Sequence, residues 1–218
     1  MLTDKFIQST RDIWEGYHRH PFVKGIGDGT LSMERFQYYM IQDYLYLYEY
    51  AKVFAIGVAK SNDHRMMRFF ASYVDATLNG EMKIHETYMK RLSITDEMIE
   101  GTPMALTNIS YTTYMLKIAY EGDVLDILTA ILSCALSYEK IGCRLNEIPG
   151  AAAHPFYGEW ILGYASEAYA QGNKALIDDI NRLGQNISEE KEERLIEIFK
   201  TCSIYEAKFW DMAYNMEA

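Results

Sequence analysis

The chain has 218 residues, enough to bury the core of one sizeable domain. Its net charge of -10 argues against nucleic acid as a partner, because phosphate contacts need clustered Lys and Arg. No uncharged apolar run reaches the ~20 residues that a membrane span needs, and the charged N-terminus lacks the apolar core of a signal peptide.

The cysteine and tyrosine contents narrow the class of protein further. Three cysteines without CxxC spacing indicate reduced thiols, and neither a disulfide framework nor a zinc site, so we expect a cytoplasmic protein. The chain also contains 18 tyrosines, whose flat rings and hydroxyls suit the binding of a small heteroaromatic molecule. From composition alone, a Tyr-rich core or an oligomer interface is the more ordinary explanation for them.

Apolar positions recur at steps of three and four residues, which predicts an all-α chain forming a single domain over 1–218. Residues 25–29 are expected to form the loop between the first two helices, and Ser32 to cap the second. Pro155 suits a first helical position, and acidic residues after Ser188 favour a helix start there. The predicted helices lie near 3–17, 32–60, 63–92, 103–121, 123–147, 155–170, 173–186 and 188–216.

The predicted helix 32–60 carries a carboxylate in the middle of an apolar stripe. An ionised carboxylate in such a position costs several kcal/mol of desolvation unless it is paired or hydrogen-bonded. Asp43 is therefore either a structural hydrogen-bonding group or a functional one. The residues within ~60° of it on a helical wheel are Phe36, Tyr39, Met40, Tyr46, Leu47, Tyr50 and Phe54.

The predicted helix 123–147 contains a thiol in its least polar part. Residues 127–138 include no charge, which predicts a central helix. A buried cysteine is usually inert packing, but the small side chains of Ser133 and Ser137 leave room beside Cys134. The other two cysteines lack such a setting and are assigned to packing: Cys143 and Cys202.

The last predicted helix repeats the anomaly of a buried acid. Glu206 lies among apolar residues, whereas Glu197, Lys200, Lys208 and Asp211 occupy the opposite face. A buried glutamate tends to have a raised pKa, which suits a general acid near neutral pH. The alternative is a salt bridge between helices, to Arg144 or Lys117.

A thiol nucleophile needs a partner that takes its proton, and the reaction needs an acid for the leaving group. Asp43, Cys134 and Glu206 could supply these parts if their helices converge.

Six segments, in order along the chain, are similar to motifs of one family. They are HPFVKGIGDGTL (20–31), FQYYMIQDYLYL (36–47), SYTTYM (110–115), ILSCALSYEKIG (131–142), HPFYGEWILGYAS (154–166) and YEAKFWDMAY (205–214). Together they resemble the TenA or thiaminase II proteins of the haem-oxygenase-like helical superfamily. The resemblance covers essentially the whole chain and implies a single helical bundle of that type.

The resemblance also implies roles for individual residues. Cys134 resembles the nucleophile that adds to an electron-poor pyrimidine carbon, and Glu206 the proton donor. Asp43 resembles the carboxylate that binds the ring nitrogen and the exocyclic amine of the aminopyrimidine. Tyr46 resembles the residue that increases the nucleophilicity of the thiol. Three further positions match substrate-binding tyrosines: Tyr111, Tyr138 and Tyr164.

A hydrolase of this family acts on thiamin, from which thiazole leaves, or on an aminomethylpyrimidine formed by thiamin degradation, from which ammonia leaves. The sequence does not choose between these substrates. Family members are cytosolic homotetramers without cofactor or metal, and we expect the same here.

Three other functions remain open at this stage. A di-iron oxidase needs Glu-x-x-His pairs from two helices, but Glu81 and His85 have the wrong spacing and no second copy. We therefore expect His85 to be a surface or hydrogen-bonding residue. Haem binding through His18 or His20 is a second alternative. A pyrimidine carrier or regulatory protein, which would keep the aromatic pocket without needing the thiol, is the third.

Overall fold

Every regular element in residues 1–217 is helical, which confirms the predicted all-α class. The computed structural model describes these residues, apart from the side chain of Ile84. The α-helices are α1 (Leu2–Arg19), α2 (Pro21–Asp28), α3 (Met33–Lys60), α4 (His64–Asp75), α5 (Met82–Arg91), α6 (Asp96–Gly101), α7 (Leu106–Glu121), α8 (Val124–Asn146), α9 (Gly158–Tyr164), α10 (Glu167–Leu183) and α11 (Glu189–Asn215). A π-helix at Ala76–Glu81 and a 3-10 turn at Ala151–Ala153 complete the set.

Backbone contacts divide the chain into two compact units. The first unit comprises residues 1–32 and 128–211, and the second unit comprises residues 33–127 with those from 212 onward. That residues 1–218 form one domain stays a prediction. None of the helices described is both long and apolar enough to cross a membrane.

In the first unit, α1 packs against α2 and α10, and α9 packs against α10. The buried face of α1 follows from helical spacing, because Phe6, Thr10, Trp14 and Tyr17 lie three or four residues apart. The ring of Phe6 lies 5.1 Å from that of Phe199 on α11. This aromatic contact fixes α1 against the helix that carries Glu206.

The same tripeptide, His-Pro-Phe, begins two turns of the first unit, at residues 20 and 154. The Nδ1 atom of His20 accepts a hydrogen bond from the backbone N–H of Phe22 at 3.2 Å. Because Pro21 then occupies the first helical position, α2 forms where we expected the loop 25–29, and that prediction is wrong. The helix ends at Gly29, whose φ of 74° is favourable for glycine.

The second histidine of this pair leads to a turn and not to a helix. The Nδ1 atom of His154 accepts from two backbone N–H groups, those of Phe156 and Tyr157, both at 3.2 Å. Helix α9 begins only at Gly158, so the prediction that Pro155 starts a helix is wrong.

The predicted helices 155–170 and 173–186 are also divided at the wrong place. The helical structure is interrupted at residues 165–166. The hydroxyl of Ser166 accepts a hydrogen bond from the backbone N–H of Tyr169 at 3.2 Å and caps the start of α10. This serine cap outweighs the continuing apolar pattern. The expected acidic helix start at Ser188 is confirmed, because its hydroxyl accepts from the N–H of Lys191 at the start of α11.

In the second unit, α3 packs against α4, α5, α7 and the π-helix. The predicted helix 63–92 is helical throughout most of its length, but Ala76–Glu81 widens into a π-helix that periodicity does not reveal. Between α5 and α7, the short helix α6 was missed. Its start is marked by Thr95, whose hydroxyl accepts from the N–H of Met98.

Helix α3 is joined to α7 by one fully buried amide. The side-chain oxygen of Gln42 accepts from the backbone N–H of Ala105 at 3.0 Å and from Asn108 at 3.1 Å. Its side-chain nitrogen donates to the carbonyl oxygen of Pro103 at 2.9 Å. The amide therefore satisfies the backbone groups that begin α7, which have no other helical turn before them.

Replacing this amide with an apolar side chain should destabilise the protein strongly. The Gln42→Leu substitution leaves buried donors and acceptors of α7 without partners, so we expect a loss of about 3 kcal/mol in the free energy of unfolding. Thermal unfolding should show a drop in Tm of roughly 6–12 °C for a chain of this size. The matched control is Gln8→Leu at an exposed position of α1, and an equal drop in both variants would refute the assignment.

Candidate active site

Cys134 lies on α8 where the continuous burial of that helix ends. Residues 125–133 are all buried, whereas Cys134 is half-buried. Cys134 is therefore partly exposed, although it lies on a helix that is largely buried. The hydroxyl of Ser137 donates to the backbone carbonyl of Cys134 at 2.9 Å and so satisfies itself within the helix.

The other two cysteines differ from each other. Cys202 is fully buried, which confirms its assignment to packing. Burial, and then the charge of Glu206, raises the pKa of the Cys202 thiol far above its ordinary value. Cys143 is exposed, so its assignment to packing is wrong. Cys143 lies outside the uncharged apolar stretch that surrounds Cys134. This difference indicated a surface position, and the prediction did not take it into account.

Glu206 is only 2% exposed, and the four polar residues predicted for the opposite face of α11 are all exposed. Neither Arg144 nor Lys117, the two residues considered as salt-bridge partners of Glu206, is paired with it. Arg144 pairs with Glu15 at 3.6 Å, and Lys117 pairs with Glu121 at 4.0 Å. A buried acid that is not explained by these ion pairs is a candidate for function.

Tyr17 of α1, which sequence reasoning missed, connects the thiol with the acid. Its hydroxyl donates to the backbone carbonyl of Ser203 at 2.5 Å. Burial, and then the charge of Glu206, raises the pKa of Tyr17 well above its usual value. The charge of Cys134 adds to this rise. Glu206 and Cys134 therefore lie within electrostatic range of one buried phenol.

A chain of hydroxyl contacts holds the three helices that carry these groups. The indole N–H of Trp14 on α1 donates to the Ser203 hydroxyl at 3.0 Å. The hydroxyls of Ser203 on α11 and Ser133 on α8 are 2.9 Å apart. All three side chains are buried, so the network fixes α8 and α11 next to each other around the thiol and the acid.

Tyr138, one turn after Cys134, lies in an aromatic cluster of the first unit. Its ring centroid is 4.7 Å from that of Tyr164 and 5.3 Å from that of Trp210. Trp160 contacts Tyr164 at 4.8 Å. Two tyrosines that were predicted to bind substrate are thus brought together, Tyr138 on the helix that carries the thiol and Tyr164 on α9.

In the second unit, Asp43 is buried as predicted, and its partner is His85. The Nε2 atom of His85 lies 2.7 Å from Oδ2 of Asp43, and the Tyr39 hydroxyl lies 3.5 Å from the same oxygen. His85 is 7% exposed. The expectation of a hydrogen-bonding residue is confirmed, and that of a surface residue is wrong.

Two predicted site tyrosines lie together in this unit. The rings of Tyr46 and Tyr111 are 5.5 Å apart, and Tyr46 also stacks on Tyr50 at 5.2 Å. The Tyr46 hydroxyl donates to the sulfur of Met115 at 3.3 Å. Among the residues described, His, Cys, Asp and Glu side chains form no group of three that could hold a metal ion.

Comparison with known proteins identifies the family. The sequence profile described as the TENA/THI-4/PQQC family matches residues 7–216. The chain belongs to this family. It is 46% identical, over 95% of its length and 93% of the relative's, to an aminopyrimidine aminohydrolase of Halalkalibacterium halodurans. A protein of Helicobacter pylori with the same name is 44% identical, over 95% of this chain and 96% of its own.

Solved structures agree with the family assignment. A TenA homologue from P. horikoshii OT3 superposes with a TM-score of 0.90 at 29% identity, covering 99% of both chains. A heme oxygenase-like domain from Shewanella denitrificans, 13% identical, has a TM-score of 0.79 and covers 98% of this chain and 92% of that one. The resemblance to TenA proteins and the haem-oxygenase-like fold are both confirmed.

Within this TenA-family chain, the predicted site residues fall into two groups. Which of them act on a substrate stays a prediction. The first unit holds Cys134, Tyr138, Tyr164 and Glu206, and the second unit holds Asp43, Tyr46 and Tyr111.

A glycine permits the position of Tyr164. A methyl group added to Gly142 of α8 would lie 2.7 Å from Cβ of Tyr164 and 3.0 Å from the backbone nitrogen of Ala165. Because backbone atoms are involved, α9 would have to move away from α8.

The Gly142→Ala substitution should therefore destabilise the protein by about 1–3 kcal/mol and change the fluorescence of Trp160, which packs on Tyr164. The matched control is Gly163→Ala on α9, where an added methyl group meets nothing within 4 Å. This control should be neutral or up to ~1 kcal/mol more stable, since alanine favours helix. Equal thermal shifts in the two variants would contradict the close approach of α9 to α8.

Proposed function

We propose that this TenA-family protein is an aminopyrimidine aminohydrolase that also cleaves thiamin, in thiamin salvage or degradation. The observation that carries the proposal is that a half-buried thiol, Cys134, and a buried acid, Glu206, both act through their charges on the buried phenol of Tyr17. The names of the relatives that are 44% and 46% identical support the same reaction.

In the proposed mechanism, the thiolate of Cys134 adds to an electron-poor carbon of the pyrimidine. The electron pair of the attacked ring bond moves to a ring nitrogen, which takes up a proton. The loss of aromaticity lets the substituent on the pyrimidine methylene leave with the electron pair of its C–N bond. Glu206 supplies the proton with which an amino group departs as ammonia, whereas the thiazole of thiamin departs as a neutral ring and takes no proton. Water then adds to the methylene, and elimination of the thiol restores the aromatic ring and Cys134.

The remaining residues bind and orient the substrate in this proposal. Asp43 accepts a hydrogen bond from the exocyclic amine of the aminopyrimidine and, once the thiolate has added, from the N–H that forms at the ring nitrogen. Tyr111, Tyr138 and Tyr164 hold the flat ring by aromatic contact, and Tyr46 tunes the nucleophilicity of the thiol. The reaction needs neither cofactor nor metal, since a thiol, an acid and water supply every atom that is exchanged.

A turnover assay of the intact protein tests the proposal, with aminomethylpyrimidine and thiamin as separate substrates. The Cys134→Ser variant should lose at least about 100- to 1000-fold in activity, because a serine hydroxyl is a far weaker nucleophile near neutral pH. Glu206→Gln should also lose activity, since an amide does not donate the required proton.

The matched control is Cys143→Ser, which removes an exposed thiol of the same helix and should change activity little. A pyrimidine carrier would behave differently. If Cys134→Ser binds hydroxymethylpyrimidine normally and the wild-type protein turns over neither substrate, the enzyme assignment is refuted.

We further propose that the protein is a cytoplasmic homotetramer. Large apolar side chains on the exposed face of α7 support an assembly, because Leu106 and Tyr120 are 73% and 69% exposed. Light scattering coupled to gel filtration should give about four times the 25.2 kDa chain mass. A mass of a single chain would refute the tetramer without affecting the proposed chemistry.

A further inference from the structure

Both ring nitrogens of His85 face oxygen atoms that accept hydrogen bonds. Nδ1 lies 3.2 Å from the backbone carbonyl oxygen of Glu81, and Nε2 lies 2.7 Å from Oδ2 of Asp43. A neutral imidazole donates from one nitrogen only, whereas an imidazolium donates from both. The geometry is therefore satisfied by a protonated His85 beside an ionised Asp43.

The electrostatics of the cluster agree with this geometry. Burial alone would lower the pKa of His85, but the hydrogen bond and charge of Asp43, with the charge of Glu81, outweigh burial and raise it. Both hydrogen bonds made to Asp43, from His85 and Tyr39, are accepted by Oδ2. The other oxygen, Oδ1, is thus the one that remains for the N–H groups of a ligand.

Glu81 is a third member of the cluster, and it is the last residue of the π-helix. It lies four residues before His85, on the same side of the helix. Burial raises the pKa of Glu81 to about 7, the charge of His85 opposes this rise, and the charge of Asp43 adds to it. An acid that is difficult to ionise, in a rare helix type, is a pattern found at functional sites.

In the part of the chain that the structure describes, α4 and α7, which also pack on α3, do not bring a further charge to this cluster. Tyr73 of α4 lies against Phe54 with a ring distance of 5.3 Å, and Tyr111 of α7 lies against Tyr46. The charged side chains of these two helices, Arg65, Arg68, Asp75, Lys117 and Glu121 among them, are exposed.

We propose that Glu81 and His85 are positioning residues, with Glu81 as the counter-charge that keeps His85 protonated and His85 as the donor that fixes Asp43. In this arrangement, the carboxylate of Asp43 is held in one orientation, with Oδ1 directed at the aminopyrimidine. The inference rests on the ring-binding role of Asp43 in the proposed function. When His85 loses its proton, the hydrogen bond to Glu81 or the one to Asp43 is lost, and ring binding weakens.

The test is calorimetric titration of hydroxymethylpyrimidine into the intact protein at pH 6.5 and pH 8.5. The Glu81→Gln substitution removes the negative charge that supports the imidazolium, so His85 deprotonates at a lower pH. We expect the Kd of this variant to rise by about five- to tenfold between the two pH values, since one unit in the pKa of His85 is a factor of ten in its protonation. At saturating substrate, kcat should stay within about threefold of wild type.

The matched control is Glu86→Gln, which removes an exposed acid of α5, five residues after Glu81, and should show the pH dependence of the wild-type protein. The double variant Glu81→Gln with His85→Gln places a neutral amide donor against Asp43 and should lose the added pH dependence. If Glu81→Gln and Glu86→Gln titrate alike, Glu81 has no such role and the inference is wrong.

Two measurements do not depend on ligand binding. Nitrogen NMR of labelled histidine should report His85 as imidazolium at pH 7.5, and a neutral ring in the wild-type protein would overturn the inference. Because folding raises the pKa of Glu81 from 4.5 to about 7, stability falls as the pH rises from about 4.5 to about 7, and the full cost of ionising Glu81 is present above that range. Glu81→Gln should therefore raise Tm at pH 8 and change it little at pH 5, and an unchanged Tm at pH 8 would contradict the buried charge.

A failure of the proposed function is distinguishable from a failure of this inference. If wild-type protein does not bind hydroxymethylpyrimidine, the proposed function fails, while the NMR measurement still decides the charge of His85. If Cys134→Ser abolishes turnover but Glu81→Gln behaves as wild type, the function stands and the positioning role is refuted.

Discussion

The hydrogen bond between Asp43 and His85 is the interaction on which the second unit depends. Helix α3 is apolar around Asp43, and a buried carboxylate without a proton donor would oppose the packing of that face. A donor at 2.7 Å removes this conflict. The donor, His85, is on α5, and it has to lie level with Asp43 along α3. The π-helix directly before α5 influences this position, because its wider turns change where α5 begins. This hydrogen bond stabilises the buried carboxylate through Oδ2 and does not involve its other oxygen, Oδ1.

In the first unit, buried polar groups are satisfied by hydrogen bonds between neutral side chains and backbone groups. Ser203 lies in the middle of a buried face of α11, where its hydroxyl contacts both Trp14 and Ser133, and its carbonyl accepts from Tyr17. Small hydroxyls allow α8 and α11 to approach closely, and each hydrogen bond satisfies a group that would otherwise be buried at a cost. Because these contacts involve three helices at once, they locate Glu206 and Cys134 more rigidly than apolar packing would.

Periodicity predicts most of this fold because it reports which residues of a helix are buried. Asp43 and Glu206 were located on buried faces in this way, and both are buried. The errors have a common physical origin in short-range hydrogen bonds that compete with periodicity. A histidine cap starts α2, and Ser166 divides two helices whose apolar pattern runs on. The surroundings of the acids depend on which helices are adjacent, so the sequence did not reveal that His85 contacts Asp43 or that the charge of Glu206 acts on Tyr17.

The three cysteines illustrate why a reactive thiol has to lie at the edge of a buried region. Complete burial raises the pKa of Cys202, so that its thiolate, the nucleophilic form, does not form near neutral pH. An exposed position, such as that of Cys143, leaves a thiol in contact with water. Cys134 has neither handicap, because α8 is buried up to Ser133 and partly opens at the next residue. In the proposed function, a partly exposed thiol on a helix that is fixed by the core attacks the substrate with a defined geometry.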